Sequence, residues 1–505
     1  VAPPNSVLPA NTDAIVVGPA GAGTFSYTLS FSAVAAAPTA FTFDSGINLG
    51  GVFEAPWDGA NGVPFASARA VINRNIAAGV HHHRLPVRWT SHATSSAAAI
   101  IDTAFMEAVE AEVDYLLSQG QGVVLNAHHY RQLDGDALDR SGNLGDPNDV
   151  AAGDVQTRLI NVWHQIAERF KNKGPGLKFE PYNEPHGAQD EGPYISSPVP
   201  WSSFYPQLVA AIREHDTVHD IVIGGSNWNN SDGLTWMAKP SSGGPHVFTS
   251  HNYLLPDFSH QGFTDYPAAG TIPITANIRA AVRSSNMTLK EVAAAAGVEP
   301  YLGEFGIAAA TAPDRVAYIA MSRREAEIAE LPWCVWNDSA GTAGSFNLTD
   351  TAGTWITGML TALFGTGEPA GIPAFPANLV SITTAAAWTL WSGSPAGTVS
   401  NTDGRISWGN TPTRIGQVSV LSPTTPIVPG GVYQVTQYGV GGARVAFGFQ
   451  TSAGVTPALS EWCYAGQAKT FTAPSGTNSG WNFFLQAESG AGQASSAVVH
   501  ICRVS

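Results

Sequence analysis

At 505 residues the chain is too long for one ordinary domain, and two or more are expected. Apolar residues make up 44% and support a large core, while charged residues are only 12% and the net charge is −15, which argues against a nucleic-acid or anionic-membrane partner and for a neutral polymer. No apolar stretch is long enough to span a membrane, and Val1 in place of Met reads as a processed, secreted chain that has lost a signal peptide.

In residues 1–41, Phe25, Tyr27, Leu29 and Phe31 alternate with small polar residues, a strand pattern expected to pair with the C-terminal part of the chain. From residue 42, short apolar runs predict strands at 46–52, 80–87, 122–127, 177–182, 221–225, 247–253, 300–305 and 332–337. Each is followed by a helical pattern, clearest at 102–118, 155–171, 201–214, 278–295 and 314–330. In the first of these, Phe105, Met106, Val109, Val113, Leu116 and Leu117 recur at helical spacing, with Asp102 placed as N-cap and Gly120 as C-cap. Trp355, Ile356, Met359, Leu360 and Leu363 predict the last helix.

Eight strand–helix units place residues 42–368 in the α/β class as a (β/α)8 TIM barrel. A doubly wound open sheet is the alternative, but no Gly-rich phosphate fingerprint follows the first strand. Residues 366–373 form a Pro/Gly-rich connection, and 369–505 show alternating runs separated by turn residues, which predicts an all-β sandwich. Cys463 and Cys502 lie in strand-like segments there, so a bridge between them is plausible; Cys334 reads as a buried thiol.

Two acidic motifs carry the chemistry. Lys178-Phe179-Glu180-Pro181-Tyr182-Asn183-Glu184-Pro185 ends the fourth strand, and Pro300-Tyr301-Leu302-Gly303-Glu304-Phe305-Gly306 ends the seventh. Two carboxyls at the strand ends of a barrel suit retaining glycoside hydrolysis, in which one donates a proton and the other attacks carbon. Also at strand ends lie Arg84, His128, Asn183, His251, Tyr253 and Trp336. The run His81-His82-His83 is not a metal site, because adjacent strand positions point to opposite faces.

The ordered set Arg84, His128, Asn183, Glu184, His251, Tyr253, Glu304 and Trp336 resembles glycoside hydrolase family 5 over roughly residues 42–365, and Phe258-Ser259-His260-Gln261-Gly262 is similar to a segment of its endoglucanase-type members. The resemblance implies that Glu304 is the nucleophile, with its pKa held down by Arg84 and a hydrogen bond from Tyr253. It implies that Glu184 is the acid/base, its pKa raised by an ionised Glu304 and its proton managed by His251. Asn183 would meet the sugar 2-OH, His128 a hydroxyl of the sugar being cleaved, and Trp336 would lie beneath that sugar. Neither metal nor cofactor is called for.

Glu180, four residues before Glu184, reads as a satisfied buried carboxylate, and Glu54 as a group within possible reach of a sugar. Trp57, Trp89, Tyr130, Trp201 and Trp228 are candidate platforms for further sugar rings.

The expected activity is an endo-acting β-1,4-glucanase on cellulose-like or mixed-linkage glucan, with a polysaccharide or oligosaccharide as partner and a monomeric chain. The alternatives are a β-mannanase or another β-glycanase or exo-glycosidase of the same family, and a glycan-binding barrel that does not cut. Residues 369–505 are either a carbohydrate-binding module, with Trp388, Trp391, Trp408, Trp462 or Trp481 exposed, or a structural domain packed on the barrel; the short linker favours the second.

Overall fold

Eight parallel strands close on themselves: β1 (Ser45–Asn48), β2 (His82–Val87), β3 (Gly122–Ala127), β4 (Leu177–Glu180), β5 (Asp220–Gly224), β6 (His246–Asn252), β7 (Glu299–Phe305) and β8 (Trp333–Val335), with β8 paired back onto β1. The computed structural model describes residues 43–376 except 56, 61, 130–154, 187–200, 238–243, 254–258, 261–272, 309–314, 343–344, 369 and 371. Outside that span it describes 15–16, 28–29, 389–390, 397–399, 406–408, 417–421, 428–440, 444–451, 462–474, 481–488 and 495–503.

All eight predicted strands are present. β4 stops at Glu180, short of the predicted 182, because Pro181 has no N–H to extend the ladder. β1 stops at Asn48, and Gly51 just beyond it takes a left-handed turn at φ 79°.

Helices return the chain from the C-terminal ends of the strands to their starts. They include α1 (Ala68–Ala77), α2 (Thr103–Ser118), α3 (Val155–Phe170) and α4 (Trp201–Arg213), then two single turns, α5 (Ser226–Asn229) and α6 (Ser231–Leu234). α7 (Ala276–Ala296), α8 (Arg315–Ile328) and α9 (Met359–Phe364) follow. The predicted cap of α2 forms: Asp102 Oδ1 accepts from the Phe105 N–H at 2.8 Å. Gly120 adopts φ 74° just past the C-cap residue Gln119. The last predicted helix begins later than its apolar spacing suggested. Trp355 instead bridges Thr349 as an isolated β pair, and Gly358 at φ 85° precedes the first turn at Met359.

Inside the barrel the side chains fall into two levels. The floor is apolar: Val124, Val222, Val247, Tyr301 and Cys334 form one buried cluster with Phe43 against it. His82 joins this level through Tyr301 OH at 3.0 Å, and burial lowers its pKa to about 3, so it is neutral. Above the floor the inward positions become charged. The strands' other faces pack on the helices in the main core, with Leu85, Leu125, Phe179, Ile221, Phe248 and Phe305 among its members.

Residues 42–505 form one compact unit. Beyond the barrel lie two five-stranded antiparallel sheets. One runs Thr389–Leu390, Gln417–Leu421, Trp481–Glu488, Arg444–Thr451, Cys463–Tyr464; the other runs Gly397–Val399, Ile406–Trp408, Ser495–Arg503, Val432–Val440, Ala468–Thr472. The second sheet is bonded to α7. Gln434 Nε2 donates to Asn277 O at 3.0 Å, Ser284 Oγ to Gln437 O, and Cys502 Sγ to Asn277 Oδ1 at 2.9 Å.

The bridge considered between Cys463 and Cys502 does not form: both are free thiols, on different sheets. Cys463 Sγ faces backbone carbonyls, that of Gln467 at 3.5 Å among them, while Cys502 turns to α7.

In residues 1–41, Ile15–Val16 pairs antiparallel with Thr28–Leu29. Phe25, Tyr27 and Phe31 lie outside the described residues.

Candidate active site

Arg84, on β2, is fully buried and uses its whole guanidinium. Nε and Nη2 clamp Glu180 at 2.6 and 3.0 Å, Nη1 reaches Glu304 Oε1 at 2.5 Å and Asn48 Oδ1 at 2.8 Å, and Nη2 reaches Asn183 Oδ1 at 2.7 Å. One cation thus ties the ends of strands one, four and seven together. Two carboxylates flank it, and its pKa is raised despite its burial.

Glu304 points into this site because β7 changes parity. Tyr301 faces the floor, so strict alternation would send Glu304 outward toward the helices. Against β6, however, Ser250 pairs with Leu302 and His251 with Glu304, leaving Gly303 as an extra residue. The register against β8 shifts at the same place. After the bulge Glu304 faces inward and Phe305 outward onto Trp333. Gly303 is needed for this close approach, since a Cβ there would lie 2.6 Å from Thr249 Oγ1 and 3.4 Å from His251 Nε2.

The Glu304 carboxylate, 4% exposed, has Arg84 on one oxygen and the Tyr253 hydroxyl on the other at 3.1 Å. Its pKa is raised, correcting the expectation that Arg84 would hold it down: burial outweighs the lowering by His251 and Arg84, and Glu184 and Glu180 add to the rise. Tyr253, its pKa pushed well up by burial and by Glu304, keeps its proton and donates it.

Glu184 lies just past β4 with its side chain 22% exposed. His251 Nδ1 is 2.6 Å from Glu184 Oε1, and its Nε2 is 3.6 Å from Glu304 Oε1, so one imidazole sits between the two carboxyls. Burial lowers the His251 pKa to about 4, which makes the ring neutral at pH 7. One donor atom from each of Glu184, His251 and Glu304 falls within 4.8 Å of the others. Among the described residues these three are one of two groups with the reach to hold a metal ion.

His128 is held through Nδ1 by Asn126 Oδ1 at 2.9 Å, and its ring lies nearly parallel to Trp336, with centroids 5.5 Å apart. Trp336 is half-buried and lies against Gly50, where an added Cβ would come within 3.0 Å of the indole. All eight predicted site residues therefore gather at one end of the barrel. Glu180 is the buried partner of Arg84, as expected. Glu54 is buried on its own loop: the N–H groups of Gly51 and Val52 donate to it, and burial raises its pKa to about 7.

Of the candidate platforms, Trp89 and Trp201 are buried and donate to Asn126 O and Gly224 O, so they hold the barrel rather than a sugar. Trp57 and Trp228 are exposed at 48% and 47%. Trp228 stacks on His186, centroids 3.3 Å apart, within a run (Asn227, Trp228, Asn229) in which every φ is between 55° and 59°. Three successive non-glycine residues in that region mark a strained segment beside Glu184. Tyr130 lies outside the described residues, as do Phe258, Gln261 and Gly262; His260 packs its ring toward Tyr253 at 5.6 Å. Sequence reasoning missed Asn48 and Asn126. Each is a polar residue at the inward end of an otherwise apolar strand, which is the signal that marks them.

A family model described as "Cellulase (glycosyl hydrolase family 5)" matches residues 45–339, more than half of the chain. Endoglucanase H of Acetivibrio thermocellus is 30% identical over 43% of this chain and 21% of its own length. An endoglucanase B of Ruminococcus albus is 24% identical over 60% of this chain and 72% of its own. The chain spans 21%, 31% and 17% of the first three curated relatives it matches. Among solved structures it is similar to a hyperthermophilic endo-β-1,4-glucanase in complex with substrate (TM-score 0.54, 25% identity, 64% of this chain and 97% of that one). It is also similar to Thermotoga maritima Cel5A in complex with mannotriose (TM-score 0.52, 26% identity, 64% and 97%).

Proposed function

The chain belongs to glycosyl hydrolase family 5, and from that premise we propose that it is a secreted endo-β-1,4-glucanase that cleaves cellulose-like or mixed-linkage glucan with retention of configuration. The observation that carries the reading is the closeness of the two carboxyls, with an oxygen of Glu184 within 4.8 Å of one of Glu304. Retaining enzymes hold them about 5–5.5 Å apart, whereas inverting ones leave about 6.5–9.5 Å for a water.

In the first step Glu304 attacks the anomeric carbon while Glu184 gives its proton to the departing oxygen. Arg84 and Tyr253 orient the two Glu304 oxygens and hold the carboxylate still. The buried setting keeps Glu304 more basic than a solvated carboxylate, which suits a nucleophile. In the second step Glu184 takes a proton from water, which displaces Glu304 from carbon. The neutral His251 between them is suited to follow the changing charge of Glu184 without adding a cation. Trp336, beside His128, and the exposed Trp228, stacked on His186, are flat faces suited to sugar rings.

The test is a panel of β-glucan, a soluble cellulose derivative, mannan, xylan and β-1,3-glucan. Cleavage of the β-1,4-glucans that falls by about 10³-fold or more in Glu304→Gln is the expected result. Product NMR should show the β-anomer first. Preferential cleavage of mannan would replace the substrate assignment, and an initial α-anomer would overturn retention.

We further propose that residues 369–505 are a structural domain, supported by the bonds from their second sheet to α7. Deleting them should lower barrel stability; a stable barrel with intact soluble-substrate activity would make them a detachable binding module.

A further inference from the structure

A second group of convergent donors lies at the other end of the barrel. His164 is on α3, while Glu214 and His215 follow directly on α4, five or six residues before Asp220 opens β5 at the barrel's base. His164 Nδ1 is 3.1 Å from His215 Nε2 and 3.6 Å from Glu214 Oε2, and one donor atom of each residue lies within 4.8 Å of the others. Around a tetrahedral zinc ion with bonds of about 2.0–2.2 Å, neighbouring donors are about 3.3 Å apart. The two imidazole rings meet nearly at right angles, 84°, which brings nitrogens rather than ring faces together.

The outer partners match as well. His215 Nδ1 lies 2.8 Å from Glu168 Oε2, and Lys171 Nζ holds the other Glu168 oxygen at 2.7 Å. A carboxylate on Nδ1 fixes the proton there and directs the His215 Nε2 lone pair toward His164, the carboxylate–histidine arrangement that orients metal ligands. The side chains are 31% (His164), 27% (His215) and 67% (Glu214) exposed, so solvent reaches the group and can complete a coordination shell.

We propose that His164, Glu214 and His215 form a binding site for a divalent transition-metal ion, zinc being the probe of choice, that clips α3 to the end of α4 at the base of the barrel. Two imidazoles and a carboxylate suit such an ion better than calcium or magnesium. The site is remote from Glu184 and Glu304, so its effect is on stability and not on the chemistry.

The experiment titrates Zn²⁺ into chelator-treated full-length chain by calorimetry and follows Tm. One ion per chain and a higher Tm at saturation are expected. Both should be lost in the His164→Gln/His215→Gln double variant, while Glu304→Gln retains them. Glu168→Gln should weaken binding about 10–100-fold. The substituted side chains are partly exposed, so the double variant should keep its circular dichroism and its β-glucan cleavage in metal-free buffer. No uptake by the unaltered chain overturns the proposal. So does undiminished uptake by the double variant, or uptake lost only in Glu304→Gln, which would place the ion at the mouth.

Discussion

The floor and the mouth of this barrel are built on the same eight strands, and they solve burial in opposite ways. At the floor, inward positions carry Val124, Val222 and Val247, which need little beyond shape, and Tyr301 and Cys334, whose polar atoms meet His82 and Asn48. A few ångströms along the same strands the inward positions carry Arg84, Glu180, Glu304 and His251, each at most 5% exposed. Two carboxylates cannot be buried together cheaply, and Arg84 is the group that allows it. The price appears in what remains uncompensated: Glu304 still has a raised pKa, and Glu54, met only by backbone N–H groups and facing the charge of Asp338, rises to about 7.

Removing the shared cation should break the contrast most severely. Arg84→Met leaves Glu180 and Glu304 buried without their counter-charge and frees the carbonyl oxygens of Asn48 and Asn183, so a loss of about 3–5 kcal/mol is expected in urea unfolding at pH 7. Activity should fall with it. The double variant Arg84→Met/Glu180→Leu should recover part of the stability but not the activity; full recovery of both would mean that Arg84 serves only its ion pair with Glu180.

Glu54 sharpens the contrast through pH. Its folded pKa of about 7 lies above its unfolded value of 4.5, so the stability it contributes is fully present below pH 4.5 and is lost as pH rises through 7. A carboxyl that titrates at about 7 rather than 4.5 corresponds to about 3 kcal/mol. Stability curves for the unaltered chain and Glu54→Gln, measured by denaturant unfolding from pH 4 to 8, should therefore converge at the acid end and change relative to each other by about that amount across the window. Parallel curves would show that Glu54 ionises in the folded chain as it does in the unfolded one.

Much of this was legible in the residues. A strand buried on both faces is a short apolar run, so all eight barrel strands could be placed, and polar residue types at their C-terminal ends pointed to eight residues that gather at one end of the barrel. Supporting groups were harder to see. Asn48 and Asn126 act by holding Arg84 and His128, and nothing about an isolated Asn says what it holds. Trp89 and Trp201 sit at strand ends and helix starts like platforms, yet tertiary packing buries them. The last helix begins late for a local reason: apolar spacing ran back through Gly358, whose left-handed backbone sets the start at Met359. The bulge at Gly303 is the deepest case. A count of alternating positions from Tyr301 puts Glu304 on the wrong face, and only pairing with both neighbouring strands reverses it.

That bulge supplies the next test. In Gly303→Ala the new methyl would meet Thr249 Oγ1 at 2.6 Å and press toward His251, so β7 or β6 must shift by a few tenths of an ångström or more. Displacement of a nucleophile by about 1 Å costs roughly 10²-fold in rate. A fall in kcat of up to that size with near-normal folding is expected, and an unchanged kcat would show that the site tolerates the shift.

The smallest effect belongs to the floor. Val222→Ala deletes two buried methyl-equivalents from the apolar cluster and should cost about 2 kcal/mol of stability as lost transfer and cavity energy. Because Val222 packs in the cluster of Val124, Val247, Tyr301 and Cys334, kcat and KM on β-glucan should stay within about two-fold, a change worth only about 0.4 kcal/mol in the barrier. Stability and rate would then be carried by different levels of one barrel. A drop in kcat that accompanies the loss of stability would instead mean that floor packing sets the position of Arg84 and, through it, of Glu304.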